Sequence, residues 1–211
     1  MRLPRTWNDI TISQFQECYF LLGDKPGTDE WIKVISVLTG KSFDYIESIP
    51  LRKLKGLILS LHFLRHPTLN EKVKKYIVLN GRIYKAVYFA TELNTAQAID
   101  LKTFLKPDGL DQTGTIVENA HKLLASIYLP LSWIGFKYNG SKHEKIANDF
   151  KSTKMGDVYG TLFFYSVVYR NWMLTLEASG RNANLILEPH MKEVIEWATK
   201  NKILETDGIG K

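Results

Sequence analysis

The chain has 211 residues, 45% of them hydrophobic and 24% charged, with a single cysteine and a formal charge of +6. That is enough apolar material for one large or two small packed cores, in an ordinary globular composition. One cysteine, Cys18, excludes an internal disulfide; it lies on the apolar side of an expected helix and reads as a buried thiol in a reducing compartment. No secretory leader is expected, because MRLPRTWNDITISQF lacks a continuous apolar core, and the long apolar run Val158 to Leu176 is broken by Gly160, Arg170 and Asn171, so it reads as a core helix and not a membrane span.

The first third reads as short helices with clear punctuation. In DITISQFQECYFLLG the apolar residues Ile12, Phe15, Tyr19 and Leu22 recur at spacings of three and four, which predicts one buried stripe on a helix ended by Gly23. Thr28 is the expected cap of a second helix, with Asp29 and Glu30 in its first turn, Trp31, Ile35 and Leu38 facing inward and Gly40 as its stop. Ser42 opens a short turn to Ile49, and Pro50 starts a helix over 51–64.

After Pro67 the period changes. Tyr76 to Phe89, YIVLNGRIYKAVYF, is rich in β-branched and aromatic residues, and Asn80-Gly81 both accept the positive φ of a tight hairpin turn, so two antiparallel strands are predicted. Asn94 and Gln97 form a capping pair for a helix to Leu105, and KPDGLDQTG is a loop. A helix over 115–128 follows, ended by Pro130. LSWIGFKYNGS is apolar but broken by glycine, leaving open an irregular segment or a second hairpin at Asn139-Gly140. Helices are expected over 141–151, 156–179 and, from Pro189, to about Lys202. The fold expected is mainly α: a single multi-helix domain over 1–211 with one inserted antiparallel β-hairpin at about 76–89 and a flexible tail at 204–211.

Charge is uneven along this chain. From Leu51 to Tyr88 the basic residues are Arg52, Lys53, Lys55, Arg65, Lys72, Lys74, Lys75, Arg82 and Lys85, against Glu71 alone, a local balance of +8 that leaves −2 for the rest. Such a patch suits nucleic acid or an acidic protein surface; the alternative is a solvated helix face and a lysine-protected strand edge. Tyr76, Tyr84 and Tyr88, interleaved with these cations, suggest an exposed ribbon of rings and ammonium groups. The candidate contact residues are therefore Arg52, Lys53, Lys55, Lys72, Lys74, Lys75, Tyr76, Arg82, Tyr84, Lys85 and Tyr88.

Signals for catalysis fail their own context tests. TGKS at 39–42 resembles the end of a phosphate-binding loop, but Ile35 stands where that motif needs glycine and the preceding residues read as helix. His62 and His66 share a helix face without a third ligand nearby, and His121, His143 and His190 are scattered on polar faces or helix edges. No nucleophile elbow or dinucleotide loop is seen, so no catalytic residue, metal ligand or cofactor is assigned.

Taken together, TWNDITISQFQE, WIKVISVLTGKSFDYIESIPLRKL, YIVLNGRIYKA, TAQAIDL, AHKLLASIYLPL and KMGDVYGTLFFYSVV resemble small structural proteins of tailed bacteriophages, especially the crAss-like phages of gut Bacteroidales. The resemblance spans about Thr6 to Val168 and implies a helical, non-enzymatic virion protein: an oligomeric ring or head–tail connector near the portal and tail. Its implied partners are copies of itself, portal or other connector proteins and packaged DNA, with no membrane, and its implied location is the virion, assembled in the bacterial host cytoplasm. In such a ring the hairpin would lie against a neighbouring copy. A tail-assembly chaperone absent from the finished particle, and a nucleic-acid-binding protein using 51–88, are the competing readings.

Overall fold

The computed structural model describes residues 1–23, 25–65, 73–87, 92–105, 112–133 and 135–166. Expected features at Lys72, Tyr88, His66, His190, the later part of 156–179, the helix from Pro189 and the tail lie outside them. Helices dominate, and they begin where side chains supply partners for the free N–H groups of a first turn. In α1 (Ile12–Leu22) the Thr11 hydroxyl accepts from Gln14 N–H at 3.2 Å while the Gln14 carbonyl accepts from Thr11 N–H at 3.1 Å. For α2 (Thr28–Thr39) the expected cap is displaced by one residue: Gly27 is the cap, Thr28 is already helical, and the Glu30 carboxylate accepts from Gly27 N–H at 2.8 Å. The carboxylate satisfies the N–H of the cap residue itself, the return half of a capping box, and no side chain caps the first-turn N–H groups.

Gly40 ends α2 in the left-handed region at φ 66°, and Ser42 caps α3 (Phe43–Glu47) through Tyr45 N–H, so TGKS is a helix stop followed by a helix start. Pro50 precedes α4 (Leu51–Ser60), which gives way to a 3-10 turn at His62–Arg65 instead of running on to residue 64. The Asn94–Gln97 pair caps α5 (Thr95–Leu105) reciprocally, at 2.9 and 3.1 Å. One expected helix is two, α6 (Gln112–Glu118) and α7 (Ala120–Ile127), divided at Asn119, whose side chain donates to the Thr115 carbonyl at 3.2 Å. A 3-10 turn at Gly140–Lys142 leads into α8 (His143–Phe150), and α9 occupies 155–166.

Four strands form one antiparallel sheet in the order β1 (Tyr76–Leu79), β2 (Arg82–Ala86), β3 (Tyr128–Ser132), β4 (Gly135–Phe136). Asn80 and Gly81 turn β1 into β2 at φ 50° and 72°. The hairpin does not wait for a neighbouring chain on its β2 side. Tyr84, Lys85 and Ala86 pair with Pro130, Leu129 and Tyr128. A second hairpin exists, but it reverses between Ser132 and Gly135 and not at Asn139-Gly140, whose place is the 3-10 turn. Gly135, at φ 101°, takes the conformation closed to other residues there.

One buried cluster joins sheet and helices. Ile77, Leu79, Tyr84, Ala86 and Tyr128 point into it, and Phe150 of α8 meets the rings of Tyr84 and Tyr128 at 5.8 and 5.7 Å. Trp7 packs edge-on to Phe15 and Phe63 at 5.6 and 5.7 Å. Strand-like bonds from Ile12 N–H to the Thr153 carbonyl, 2.9 Å, and from Met155 N–H to the Ile10 carbonyl, 2.8 Å, fasten the start of the chain to the entry of α9. Cys18 is buried and its thiol is pushed up to about 12 by desolvation, then by Glu17. No helix among the described residues is long and apolar enough to cross a membrane.

Tyr128 ties three elements. Its hydroxyl donates to the Lys74 carbonyl ahead of β1 at 2.7 Å and accepts from Thr161 of α9 at 2.9 Å. Tyr128→Phe leaves both groups without that partner and is expected to cost about 1–3 kcal/mol, read from urea unfolding. His121, half-buried with Nδ1 3.1 Å from Gln16 Nε2, is lowered to about 4 by burial first and then by Lys151, Lys122 and His143. The unfolded chain therefore binds the extra proton first as pH falls, so this group removes stability on acidification through the window from 6.5 down to about 4. His121→Gln is expected to flatten that part of a melting-temperature profile relative to the parent.

Candidate functional site

Strand register decides which side chains face water. Tyr76 opposes Lys85 and Val78 opposes Ile83, while Ile77 opposes Tyr84 and Leu79 opposes Arg82. Because side chains alternate, Ile77, Leu79, Tyr84, Ala86 and Tyr128 form the inner layer; Tyr76, Val78, Ile83 and Lys85 form the outer one. Leu129 and Leu131 continue that outer layer on β3, and Phe136 joins it opposite Leu131. Trp133 projects from the turn between β3 and β4.

The outer layer is apolar and wet. Val78 is 73% exposed and Trp133 96%, with Tyr76, Ile83 and Leu131 also exposed and Phe136 half-buried. An antiparallel sheet with one solvated face ordinarily carries polar residues there. Contiguous exposed apolar side chains bordered by charge mark a binding surface.

Cations border it. Lys75 Nζ lies 6.0 Å from the centroid of Tyr76, and Lys85 Nζ lies 6.0 Å from that of Phe136. The rings of Tyr76 and Phe136 are themselves 6.0 Å apart. Arg82, opposite Leu79, and Lys137, next after Phe136, are exposed but share the inner layer's facing by alternation, and the four strands contain no Asp or Glu. Lys74 differs from these, since it forms an exposed ion pair with Asp157 of α9. An exposed pair of this kind contributes little to stability, roughly 0–1 kcal/mol.

The sequence-derived candidates divide accordingly. Tyr76 and Lys85 come together on the open face, with Lys75 beside the Tyr76 ring; Arg82, opposite Leu79 at the hairpin end, is exposed on the other side of the sheet. Arg52, Lys53 and Lys55 are exposed on α4, whose main neighbours are α2 and the following 3-10 turn, so they belong to another support. Tyr84 is corrected outright: it is fully buried against Phe150, and burial, then Asp149, raises its hydroxyl. Period-two alternation puts Tyr84 opposite Tyr76 in facing, which a list of interleaved tyrosines conceals. His143, expected on a polar face or helix edge, is buried, stacked on Phe104 at 5.3 Å and bonded to Ser126 Oγ at 3.0 Å. Among the described residues no group of three or more metal-ligating side chains converges.

Sequence reasoning missed Val78, Ile83, Leu131, Trp133 and Phe136 as surface residues. Their signal was present as alternation in β1 and as an apolar run around Trp133, but only the β2–β3 pairing assembles them. Comparison with protein-family models, with curated proteins and with solved structures gives no match. The site is therefore described by its own chemistry: rings, branched aliphatics and ammonium groups.

Facing makes a direct contrast. Tyr84→Ala is expected to cost about 3–5 kcal/mol of unfolding free energy, as a large buried side chain does. Tyr76→Ala, on the outer layer, is expected to stay within about 0.5 kcal/mol of the parent. Chemical denaturation of the two variants side by side measures both.

Proposed function

We propose that this chain is a non-catalytic assembly protein that docks a partner protein on the open face of its sheet. The observation that carries this reading is the contiguous apolar layer on a solvated sheet face, with Trp133 96% and Val78 73% exposed. Aromatic residues that become fully desolvated at the centre of an interface dominate its energetics. Basic side chains at the margin steer an acidic surface into register.

In its sharper form, which follows the resemblance to tailed-phage structural proteins, the partner is a portal or connector subunit and the chain is a ring or head–tail connector component of the virion. Support for this form comes from the basic hairpin, which repeated around an axis would present a positive rim to an acidic portal surface. Closure by rotation of head-to-tail contacts would set the copy number.

Mass of the purified protein across a concentration series, alone and with the portal protein of the same particle, tests the reading. A defined ring, or one that forms only on the portal, is the expected result. The double variant Val78→Glu, Trp133→Ala is expected to weaken association with the portal at least tenfold with an unchanged circular dichroism spectrum. A monomer that ignores the portal at every concentration would overturn the proposal.

A further inference from the structure

We infer that the occupant of this surface is an acidic, extended segment of the partner, added beside β1 as a fifth strand. The inference rests on the docking reading above and specifies its chemistry. Hydrogen-bond alternation supplies the first step. Ala86 N–H donates to the Lys75 carbonyl at 2.9 Å, which makes 75–86 a bonded pair; the register then makes 77–84 and 79–82 bonded pairs as well. Residues 76 and 78 fall between them. Their backbone N–H and C=O groups point away from β2, toward the side of β1 where the sheet order places no further strand among the described residues.

Tyr76 and Val78 thus present side chains to the open face and amides to the open edge. One extended peptide satisfies both at once, pairing with the edge and laying alternate side chains beside the apolar layer. Edge strands are usually blocked by shortness, charge, proline, a bulge or a covering element. Tyr-Ile-Val-Leu is short and follows Lys74 and Lys75, but contains no charge, proline or bulge itself.

Charge selects the occupant. Lys75 and Lys85, the cations tied to the open face, have no ion-pair partner among the described residues, where Lys74–Asp157 is the pair that forms. Lys75 and Lys85 are instead held over aromatic rings. A partner strand carrying carboxylates would satisfy them, whereas a second copy of this chain brings only more cations to its own sheet. Single-stranded nucleic acid would answer the charge and the rings, but not the open amides of residues 76 and 78 or the aliphatic side chain of Val78 beside them.

Four probes separate these occupants on the wild-type protein: the blocked peptide Glu-Val-Glu-Val-Glu-Val-Glu, its lysine-for-glutamate counterpart, an N-methylated version of the acidic peptide, and a twelve-residue oligothymidylate. Calorimetry reads affinity and amide hydrogen exchange reads protection at Tyr76 and Val78. The acidic peptide is expected to bind, with at least tenfold slower exchange at those two amides, and both altered peptides to bind at least tenfold more weakly. Equal binding of the lysine peptide would remove the charge argument, and equal binding of the N-methylated one would remove strand addition. Tighter binding of oligothymidylate would reassign the face to nucleic acid. Protection of both amides in the protein alone, rising with concentration, would reassign it to a second copy. Should the acidic peptide fail while the portal complex forms and is lost in the Val78→Glu, Trp133→Ala variant, strand addition falls and the docking reading stands; failure of both removes both.

Discussion

The pairing of β2 with β3 is the constraint on which the arrangement depends. A lone hairpin of four- and five-residue strands is at best marginally stable in water. Here the third strand arrives directly from α7, because Tyr128 is both the cap of that helix and the first residue of β3. Ala86 is placed opposite Tyr128, Tyr84 is driven against Phe150, and the inner layer of the sheet becomes continuous with the helical core. Without that pairing neither tyrosine has a dry environment, and the outer residues have no common plane.

Helix starts and stops are the part of the fold most legible in the sequence, since each is set by groups a few residues apart. The Thr11–Gln14 and Asn94–Gln97 boxes, the Gly40 stop and the Asn80-Gly81 turn all depend on local hydrogen bonds or on φ alone. Thr28 shows the limit of the same reasoning. Either its hydroxyl could cap the first turn of α2 or the Glu30 carboxylate could hold the Gly27 N–H, and the difference moves the cap by one residue.

Long-range pairing was not legible. LSWIGFKYNGS, 131–141, reads as an apolar, glycine-broken run and 128 as a helix end, because the identity of β3 as a strand depends on Tyr84 to Ala86, more than forty positions earlier. Period-two alternation in β1 and β2 did fix which tyrosines could share a face, but not which face was wet. That depended on where Phe150 and β3 lie. Tyr84 illustrates the consequence: a tyrosine between an isoleucine and a lysine looks much like Tyr76 followed by an isoleucine, yet one is buried and the other open.

Nothing among the described residues requires the outer layer to be apolar. The inner residues already bury one side of the sheet, and threonine, serine or glutamate at positions 78, 83 and 131 would keep the strands extended and the hairpin in register. Instead those positions hold Val, Ile and Leu beside Tyr76, Phe136 and a nearly fully exposed Trp133. Apolar groups kept in water on a single-layer sheet carry a solvation cost of roughly 25 cal/mol for each Å² that another surface could cover. The cost is recovered only when something does cover them. On the reading proposed above, the open amides of β1 and the ammonium groups of Lys75 and Lys85 restrict what that covering surface can be, so that edge and charge would be answered by one ligand.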